Sequence, residues 1–241
     1  MTAPGRRRGA MAVLVVAKAP VPGLTKTRLA ARIGAGAAAD VAAAAFLDLL
    51  QTLRDDRRRT LVALTGHPAA AARQGELASA LAGCRVFAQV QGRLADRLVH
   101  AHRYAQECAP GPLLQIGMDT PQLDSGTLDS AEEALSRHAA VLGPAVDGGW
   151  WALGLHTAAP AAALADVRMS AATTGAHTRA ALLASGLVGD SVAELSTLRD
   201  VDDWADAVAV AAALPGSRFA AAVAAAQSSP MFSATAHGMH R

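Results

Sequence analysis

Two aspartates in this chain stand where apolar stretches end, which is a common position for ligand-binding carboxylates. Asp119 follows the apolar residues 112–116, and Pro121 then prevents further strand pairing. Asp147 ends a second apolar stretch and is followed by two glycines. Ligands of open α/β sheets collect at the carboxyl ends of the strands, so we expect the two carboxylates to share a site. Mg2+ or Mn2+, held by Asp119 and Asp147 and by bridging phosphates, fits this pattern.

A third acidic cluster lies at residues 200–203. Asp202 is a further candidate metal ligand. Its alternative role is to cap the last predicted helix, because Asp is among the favoured N-cap residues. The two roles do not exclude each other.

The loop after the first apolar stretch, residues 18–28, combines three cations with residues that stiffen and turn the backbone. Amide groups at a helix N-terminus, together with lysine and a forked arginine, bind di- or triphosphates well. The alternative is a solvent-exposed basic loop, because the segment has no Walker signature. The phosphate-binding residues predicted in this loop are Lys18, Pro22, Gly23, Lys26 and Arg28.

A glutamine–glycine segment, residues 91–98, joins a predicted strand to a helix at the same edge of the sheet. Gly92 would let a ligand approach the backbone, so Gln91 and Gly92 are predicted to contact the nucleotide. Arg97 in this segment is expected to pair with an acid of its own helix, which is the usual fate of a helical arginine.

Residues that could bind a second substrate follow Asp147. Trp150 and Trp151 are adjacent, so on a strand one enters the core and the other is free to stack on a base or sugar. Ser170 begins a hydroxyl-rich stretch that could bind an acceptor or cap a helix. The acceptor-binding residues predicted here are Gly148, Gly149, Trp150 and Ser170.

The glycines at residues 34–39 match a dinucleotide-binding fingerprint but lie in the wrong context. A true fingerprint directly follows a strand, whereas residues 27–33 have a helical pattern. These glycines are therefore expected to join a short helix to a long one, and no nicotinamide cofactor is expected.

The elements that must position these residues alternate between strand and helix. Short β-branched runs predict strands over residues 13–17, 61–64, 86–90, 113–116 and 140–146. Helical periodicity predicts helices over residues 37–54, 69–81, 94–107 and 128–137. Residues 150–155 are expected to return as an antiparallel strand, and residues 173–185 and 202–214 to be helical. The pattern predicts a single α/β domain, a three-layer sandwich with a mostly parallel mixed sheet, over residues 11–226, between flexible segments at 1–10 and 227–241.

Composition narrows the classes of function. The net charge is only +2, and the arginine clusters at residues 6–8 and 57–59 suit solvated charge better than a nucleic-acid surface. Cys84 and Cys108 are far apart in the sequence, which indicates neither a disulfide framework nor a zinc site. No uninterrupted apolar segment approaches the length that a bilayer requires. We expect a soluble, cytoplasmic protein without membrane or nucleic-acid partners, and its oligomeric state is not predicted.

The motifs together resemble a family. Residues 18–29, 91–98, 117–123, 144–155 and 200–206 resemble the small GT-A-fold transferases, labelled glycosyltransferase-like or rSAM/selenodomain-associated transferases. The resemblance extends over residues 13–214 and implies a nucleotide-diphospho-sugar transferase fold. Guanylyltransferases that build the molybdenum and deazaflavin cofactors share this fold, so the fold alone does not specify the reaction.

The leading hypothesis is a magnesium-dependent transferase that uses an activated nucleotide, with Lys26, Arg28, Asp119 and Asp147 as its catalytic residues. Glycosyl transfer from a nucleotide sugar to a small acceptor is the usual label of the resembling family and is placed first. The cationic loop favours the alternative, transfer of a nucleotidyl group from a triphosphate to a phosphorylated acceptor. A third alternative is a nucleotide-binding protein without catalytic activity, because residues 169–171 depart from the family pattern.

Overall fold

Seven strands form one mixed sheet in the computed structural model, which describes residues 11–187 and 191–229. The strand order is β3-β2-β1-β4-β6-β5-β7. β6 runs antiparallel to its neighbours β4 and β5, and the other pairs are parallel. The strands are β1 (Ala12–Lys18), β2 (Thr60–Thr65), β3 (Arg85–Ala88), β4 (Leu113–Gly117), β5 (Ala140–Pro144), β6 (Trp150–Leu155) and β7 (Val192–Glu194).

Eight α-helices and two 3-10 helices connect these strands in the described residues. The 3-10 helices are Pro68–Ala70 and Ala159–Asp166. The α-helices are α1 (Thr27–Ile33), α2 (Ala35–Asp55), α3 (Gln74–Leu81), α4 (Leu94–Cys108), α5 (Ser125–Leu135), α6 (Thr174–Ala184), α7 (Trp204–Ala212) and α8 (Arg218–Gln227). The alternation confirms the predicted α/β class.

The sheet is covered on both faces, as the apolar strands require. On β1, Val13 and Val15 belong to the cluster formed with α2, α3 and α5. Leu14 faces the other way and packs with α4. The strands near β7 continue that second layer against α4, α6 and the second 3-10 helix. The result is the predicted three-layer sandwich.

Helix α2 is the central helix of the first layer. Alanines on several sides allow close packing, and Phe46 and Leu49 are fully buried. By length and composition, α2 is the one described helix that could cross a membrane, but 67% of its most apolar window is buried inside the protein. This burial is typical of the core helix of a folded domain.

Gly34 ends α1 and begins α2, with φ 83°. This arrangement confirms that the glycines at residues 34–39 join two helices. A left-handed or extended glycine is suited to such a junction because it lacks a Cβ.

The C-terminal helices pack on the outer side of α2, together with α1. Phe219 and Val223 of α8 contact this second apolar cluster, which also contains Leu29. The periodicity of the sequence did not predict α8, because alanine repeats have helical propensity without a distinct polar face. The sequence predicts flexible segments at residues 1–10 and 227–241. Residues 1–10 and 230–241 lie outside the described residues, and Gln227 is the last residue of α8.

The prediction of a solvated arginine cluster at residues 57–59 is wrong for its middle member. The side chain of Arg58 is fully buried and bonds Asp56 at 2.5 Å, Asp129 at 2.6 Å and Glu132. Arg57 and Arg59 on either side are exposed. Arg58 thus links the end of α2 to α5 at the amino ends of the strands.

Candidate active site

The ammonium group of Lys26 lies between two carboxylates at the carboxyl edge of the sheet. Its Nζ is 2.9 Å from Asp119 Oδ2 and 3.1 Å from Asp202 Oδ1. Burial alone would lower the pKa of Lys26, but the two carboxylates outweigh it and raise the pKa above 10.5. Lys26 therefore remains charged.

The backbone of the first loop delivers Lys26 to this position. Lys26 immediately precedes α1 and has left-handed backbone angles, φ 47° and ψ 51°. A non-glycine residue rarely adopts them, and such strain is often stored at functional sites. Helix α1 begins at Thr27 without a side-chain cap, two residues later than the position near Thr25 expected from the sequence.

Asp119 follows β4, as predicted, and its backbone holds the third acidic cluster in place. The amide of Val201 donates to the carbonyl of Asp119 at 3.1 Å. This bond places Asp200 and Asp202 on either side of the contact. Asp202 does not cap α7; Asp203 is the N-cap and forms a capping box with Asp206.

Asp147 follows β5 in a tight turn. Its Oδ1 accepts a hydrogen bond from the Gly149 amide at 2.8 Å. The amide of Val146 donates to the carbonyl of Leu198 at 3.0 Å, so the turn lies beside the segment that carries Asp200. The side chain of Asp147 is exposed.

Asp200 is the carboxyl that the sequence analysis did not assign to the site. Its pKa is raised from 3.8 to about 7 by burial, by Asp119 and by the further carboxylates Asp147 and Asp202, against the opposing effect of Lys26. Asp119, Asp147 and Asp202 are therefore close enough to Asp200 to disfavour its charged form. The acidic cluster was visible in the sequence, but its approach to Asp119 depends on long-range pairing.

The carboxylates at this site fit a magnesium ion whose remaining ligands come from the substrate. Within the described ranges, no three His, Cys, Asp or Glu side chains are arranged to hold a metal by themselves. Mg2+, however, is usually held by one or two carboxylates together with water and substrate phosphates. Burial and the neighbouring carboxylates raise the pKa of Asp200, and such a cation would offset the carboxylates' share of that rise.

An open cleft of about 420 Å³ is lined by Asp119 and Asp202 but not by Asp147 or Asp200. Lys18, Lys26 and Arg28 also line it, as the sequence predicts for phosphate-binding residues. Pro22, Gly23, Gln91 and Gly92 do not line it, and lie in exposed turns. Their contact with a nucleotide stays a prediction.

Two residues that line the same cleft and bond each other were omitted from the site prediction. They are Gln89 and Arg97. The expectation that Arg97 pairs with a helical acid is wrong, because Asp96 instead bonds Arg93 through both carboxylate oxygens, at 3.0 and 2.9 Å. Gln89 and Arg97 meet at the carboxyl ends of the strands only because the chain folds, so no signal in the sequence predicts this contact.

The predicted acceptor residues divide into two groups. Ser170, at φ 58°, lines a second cleft of about 600 Å³, and Leu94 lines both clefts. Gly148 and Gly149 lie in the Asp147 turn, outside this second cleft. Trp150 and Trp151 face opposite sides as expected.

Each tryptophan has a fixed partner. Trp151 enters the core, and its Nε1 donates to the carbonyl of Ser196 at 2.9 Å. Trp150 is half-buried, and its Nε1 donates to Thr178 Oγ1 at 3.0 Å. Trp150 is the one left with an exposed surface.

Three solved structures show how this fold compares with known proteins. A protein from Desulfovibrio desulfuricans G20, assigned as a nucleotide-diphospho-sugar transferase, has a TM-score of 0.75 at 23% identity and covers 95% of each chain. CMP:2-keto-3-deoxy-manno-octonic acid synthetase complexed with CTP has a TM-score of 0.51 at 10% identity, covering 86% of this chain and 98% of its own. A Bacillus anthracis protein in complex with sucrose, assigned as a glucose-1-phosphate thymidylyltransferase, has a TM-score of 0.50 at 12% identity, covering 88% of this chain and 99% of its own. At these identities the likeness shows the fold, and it confirms the nucleotide-diphospho-sugar transferase-like fold implied by the resemblance.

Sequence comparison adds one family. The model of a family described as "Uncharacterized protein conserved in bacteria (DUF2064)" matches residues 48–171. No curated protein matches the chain.

Proposed function

The chain thus belongs to the DUF2064 family, and we propose that it is a magnesium-dependent transferase that uses an activated nucleotide. The observation that carries this proposal is the cleft in which the ion pair of Lys26 with Asp119 and Asp202 meets the further cations Lys18 and Arg28. Carboxylates and cations side by side suit a metal–phosphate ligand better than either charge alone would.

Each group has a role that its position supports. Asp119 and Asp147, with Asp200 beside them, would hold Mg2+, which would neutralise the charge of the phosphates. Lys18, Lys26 and Arg28 would bind the phosphates and stabilise the charge that develops on the leaving group. Catalysis would be mainly positioning and charge neutralisation.

The charge of the cleft favours nucleotidyl transfer as the reaction. The first loop contributes three cations to its lining, Lys18, Lys26 and Arg28, beside the carboxylates Asp119 and Asp202. A magnesium–triphosphate carries more residual negative charge than a magnesium–sugar diphosphate and balances these cations better. In the reaction, an acceptor oxygen forms a bond to the α-phosphorus. The bond between the α-phosphorus and the oxygen that links it to the β-phosphorus breaks, and pyrophosphate leaves with that oxygen.

The second cleft is the proposed place for the acceptor. It shares Leu94 with the nucleotide cleft, and Arg168 and Ser170 line it. Arg168 suits an acceptor that already carries a phosphate. Glycosyl transfer remains the second candidate, supported by the resemblance and by the assignment of the Desulfovibrio desulfuricans protein.

Thermal unfolding with nucleoside triphosphates and nucleotide sugars, with and without Mg2+, tests the proposal. We expect at least one of these ligands to raise the melting temperature only with Mg2+, and Asp119→Asn to abolish that rise. Asp55→Asn, which changes an exposed carboxyl on α2, is the matched control. A rise that survives Asp119→Asn would overturn the metal assignment.

The released product separates the two reactions. With small phosphorylated acceptors, nucleotidyl transfer releases pyrophosphate, whereas glycosyl transfer releases a nucleoside mono- or diphosphate. Magnesium-dependent nucleotide binding without either product across a broad acceptor set would favour a binding protein.

A further inference from the structure

The guanidinium of Arg97 is held in a fixed orientation at one end of the nucleotide cleft. Its Nη1 donates to Gln89 Oε1 at 2.9 Å. The Nε2 of Gln89 donates to the carbonyls of Ala17 at 2.9 Å and Ala63 at 2.8 Å, at the ends of β1 and β2. Because both amide protons of Gln89 are engaged by the strands, its Oε1 must face Arg97. Gln89 therefore acts as a positioning residue.

The charge of Arg97 is not neutralised by a neighbouring carboxylate. Asp96, the residue before it, is engaged by Arg93, and in the described part of the chain no ion pair includes Arg97. The Nε of Arg97 is buried and has no hydrogen-bond partner among the protein groups described. A guanidinium that is oriented in this way, with one hydrogen bond to the described protein groups among its five N–H groups, has donors left for an acceptor on a ligand.

The position of this guanidinium indicates which part of a nucleotide it meets. Gln89 follows the edge strand β3, whereas Asp119 follows β4, and β2 and β1 lie between these strands. The Gln89 amide that orients Arg97 reaches across to β1 and β2, so only one to two strand spacings, roughly 5–10 Å, separate it from β4. If the phosphates lie at Lys26 and Asp119, an extended nucleotide directs its base towards Arg97.

The walls near Arg97 suit a flat, uncharged group. Val16, Ala17 and Leu94 line the cleft there, while the other cations belong to the first loop. Phosphate would find more donors at Lys18, Lys26 and Arg28. The base is therefore the better match for the guanidinium.

We infer that Arg97, oriented by Gln89, reads the nucleobase and selects an edge with two adjacent hydrogen-bond acceptors. Guanine presents O6 and N7 in this arrangement, and cytosine presents O2 and N3. Adenine places a donor beside its acceptor, and uracil separates its carbonyls by an N–H. This inference rests on the proposed function, because it assumes that a nucleotide occupies the cleft.

Direct binding measurements with GTP, CTP, ATP and UTP in the presence of Mg2+ test the inference. We expect the full chain to bind GTP or CTP roughly 10- to 100-fold more tightly than ATP and UTP. Arg97→Gln should reduce the affinity for the preferred nucleotide by a similar factor and leave that for ATP within about threefold. Arg97→Lys should also lose the preference, because an ammonium lacks the planar fork. If GTP is preferred, 7-deaza-GTP should bind as weakly as ATP, which separates guanine from cytosine recognition.

Arg103→Gln is the matched control, because Arg103 is an exposed arginine on the same helix. It should leave all four affinities unchanged, and unchanged circular dichroism and melting temperature should show that the Arg97 variants are folded. An equal loss of affinity for all four nucleotides in Arg97→Gln would identify Arg97 as a phosphate ligand and overturn the base assignment while the proposed function stands. A wild-type protein that binds the four nucleotides equally would also overturn it. Binding of none of these nucleotides, and of no nucleotide sugar, would overturn the proposed function as well.

Discussion

At the scale of single residues, Lys26 already provides a cation to the carboxylates that a metal would use. Its Nζ is 2.9 Å from Asp119 and 3.1 Å from Asp202. An ammonium and a divalent cation cannot both occupy the same oxygen atoms, so the two compete in the free protein. Once a nucleotide is bound, its phosphates offer the ammonium another partner. Lys26 should therefore weaken the binding of Mg2+ to the free protein and strengthen the binding of the nucleotide.

Lys26→Met tests this competition. We expect Mg2+ to bind the nucleotide-free variant roughly five- to tenfold more tightly than the wild type, because the competing ammonium is gone. Nucleotide affinity at saturating Mg2+ should fall roughly tenfold, because a phosphate ligand is lost. Isothermal titration calorimetry measures both affinities.

Lys18→Met is the matched control, because Lys18 lines the same cleft and forms no ion pair within the described residues. It should weaken nucleotide binding without strengthening Mg2+ binding. Weaker Mg2+ binding in Lys26→Met would contradict the competition between the Lys26 ammonium and Mg2+ for the carboxylates.

The residues that the sequence predicted for the site are those whose motif is local. Asp119 and Lys26 each stand beside a strand end or a helix start, so a short window reveals them. Gln89, Arg97 and Asp200 were missed because their roles arise from contacts between distant segments. Gln89, for example, bonds the ends of two other strands, and no periodicity encodes that contact.

At the scale of elements, the Asp147 turn is locked against the start of α6. A Cβ on Gly148 would come within 2.0 Å of the carbonyl oxygen of Ala172. The amide of Gly175 donates to the carbonyl of Gly148 at 2.9 Å. The position of Asp147 therefore depends on two segments that pack without space for a side chain.

Gly148→Ala should destabilise the protein and displace Asp147. The clash with backbone cannot be relieved by a rotamer change, so we expect a loss of more than about 2 kcal/mol in the free energy of unfolding. Gly216→Ala is a control with almost the same φ, 83° against 84°, and with nothing within 4 Å of the added Cβ. It should cost about 1 kcal/mol, which is the conformational strain alone. Equal losses in urea unfolding would show that the packing against α6 is unimportant.

Arg58 joins α2 to α5 at the amino ends of the strands, whereas the cleft lies at their carboxyl ends. Arg58→Met would leave the carboxylates of Asp56, Asp129 and Glu132 without their buried guanidinium. We expect it to lower the free energy of unfolding by about 3–5 kcal/mol, as is typical when one partner of a buried ion pair is removed. Arg57→Met, at the exposed neighbour, should change it by about 0.5 kcal/mol or less. Similar urea midpoints for the two variants would contradict the network's role.

The sequence predicted most elements of the sandwich but not its last additions. The strands of the central sheet are short β-branched runs between turn residues, and this signal is strong. The three-residue strand β7 and the alanine-rich helix α8 lack such a signal. Both are stabilised by packing, β7 by its pairing with β5 and α8 by its contact with α2.

At the scale of the whole molecule, buried His102 and half-buried Asp200 give the free energy of unfolding opposite dependences on pH. Burial lowers the pKa of His102 to about 4, although Gln115 opposes the shift, so the unfolded chain takes up a proton first as the pH falls below 6.5. Stability due to this group is present above pH 6.5 and is lost towards pH 4. Asp200 acts in the other direction, because its carboxyl keeps its proton in the folded protein up to about pH 7. The two effects partly cancel between pH 4 and 6.5, which should make the wild-type profile flat there.

Asp200→Asn should remove the part of the pH dependence of the unfolding free energy that is due to Asp200. In the unfolded chain a carboxyl ionises near 3.8, whereas in the folded protein Asp200 ionises near 7. Stability is therefore lost as the pH rises through this window, by up to about 4 kcal/mol at pH 8. Without metal, the variant should be more stable than the wild type at pH 8 and equal to it near pH 4, where Asn resembles the neutral acid.

Urea unfolding in the presence of a chelator at both pH values measures this difference, and Asp55→Asn on the exposed side of α2 is the control. Added Mg2+ should stabilise the wild type at pH 8 and stabilise Asp200→Asn much less, because the repelling carboxylates that attract the ion are then reduced by one. A variant that is no more stable than the wild type at pH 8 without metal would show that the fold accommodates four charged carboxyl groups unaided. A cation would then not be needed at this edge of the sheet.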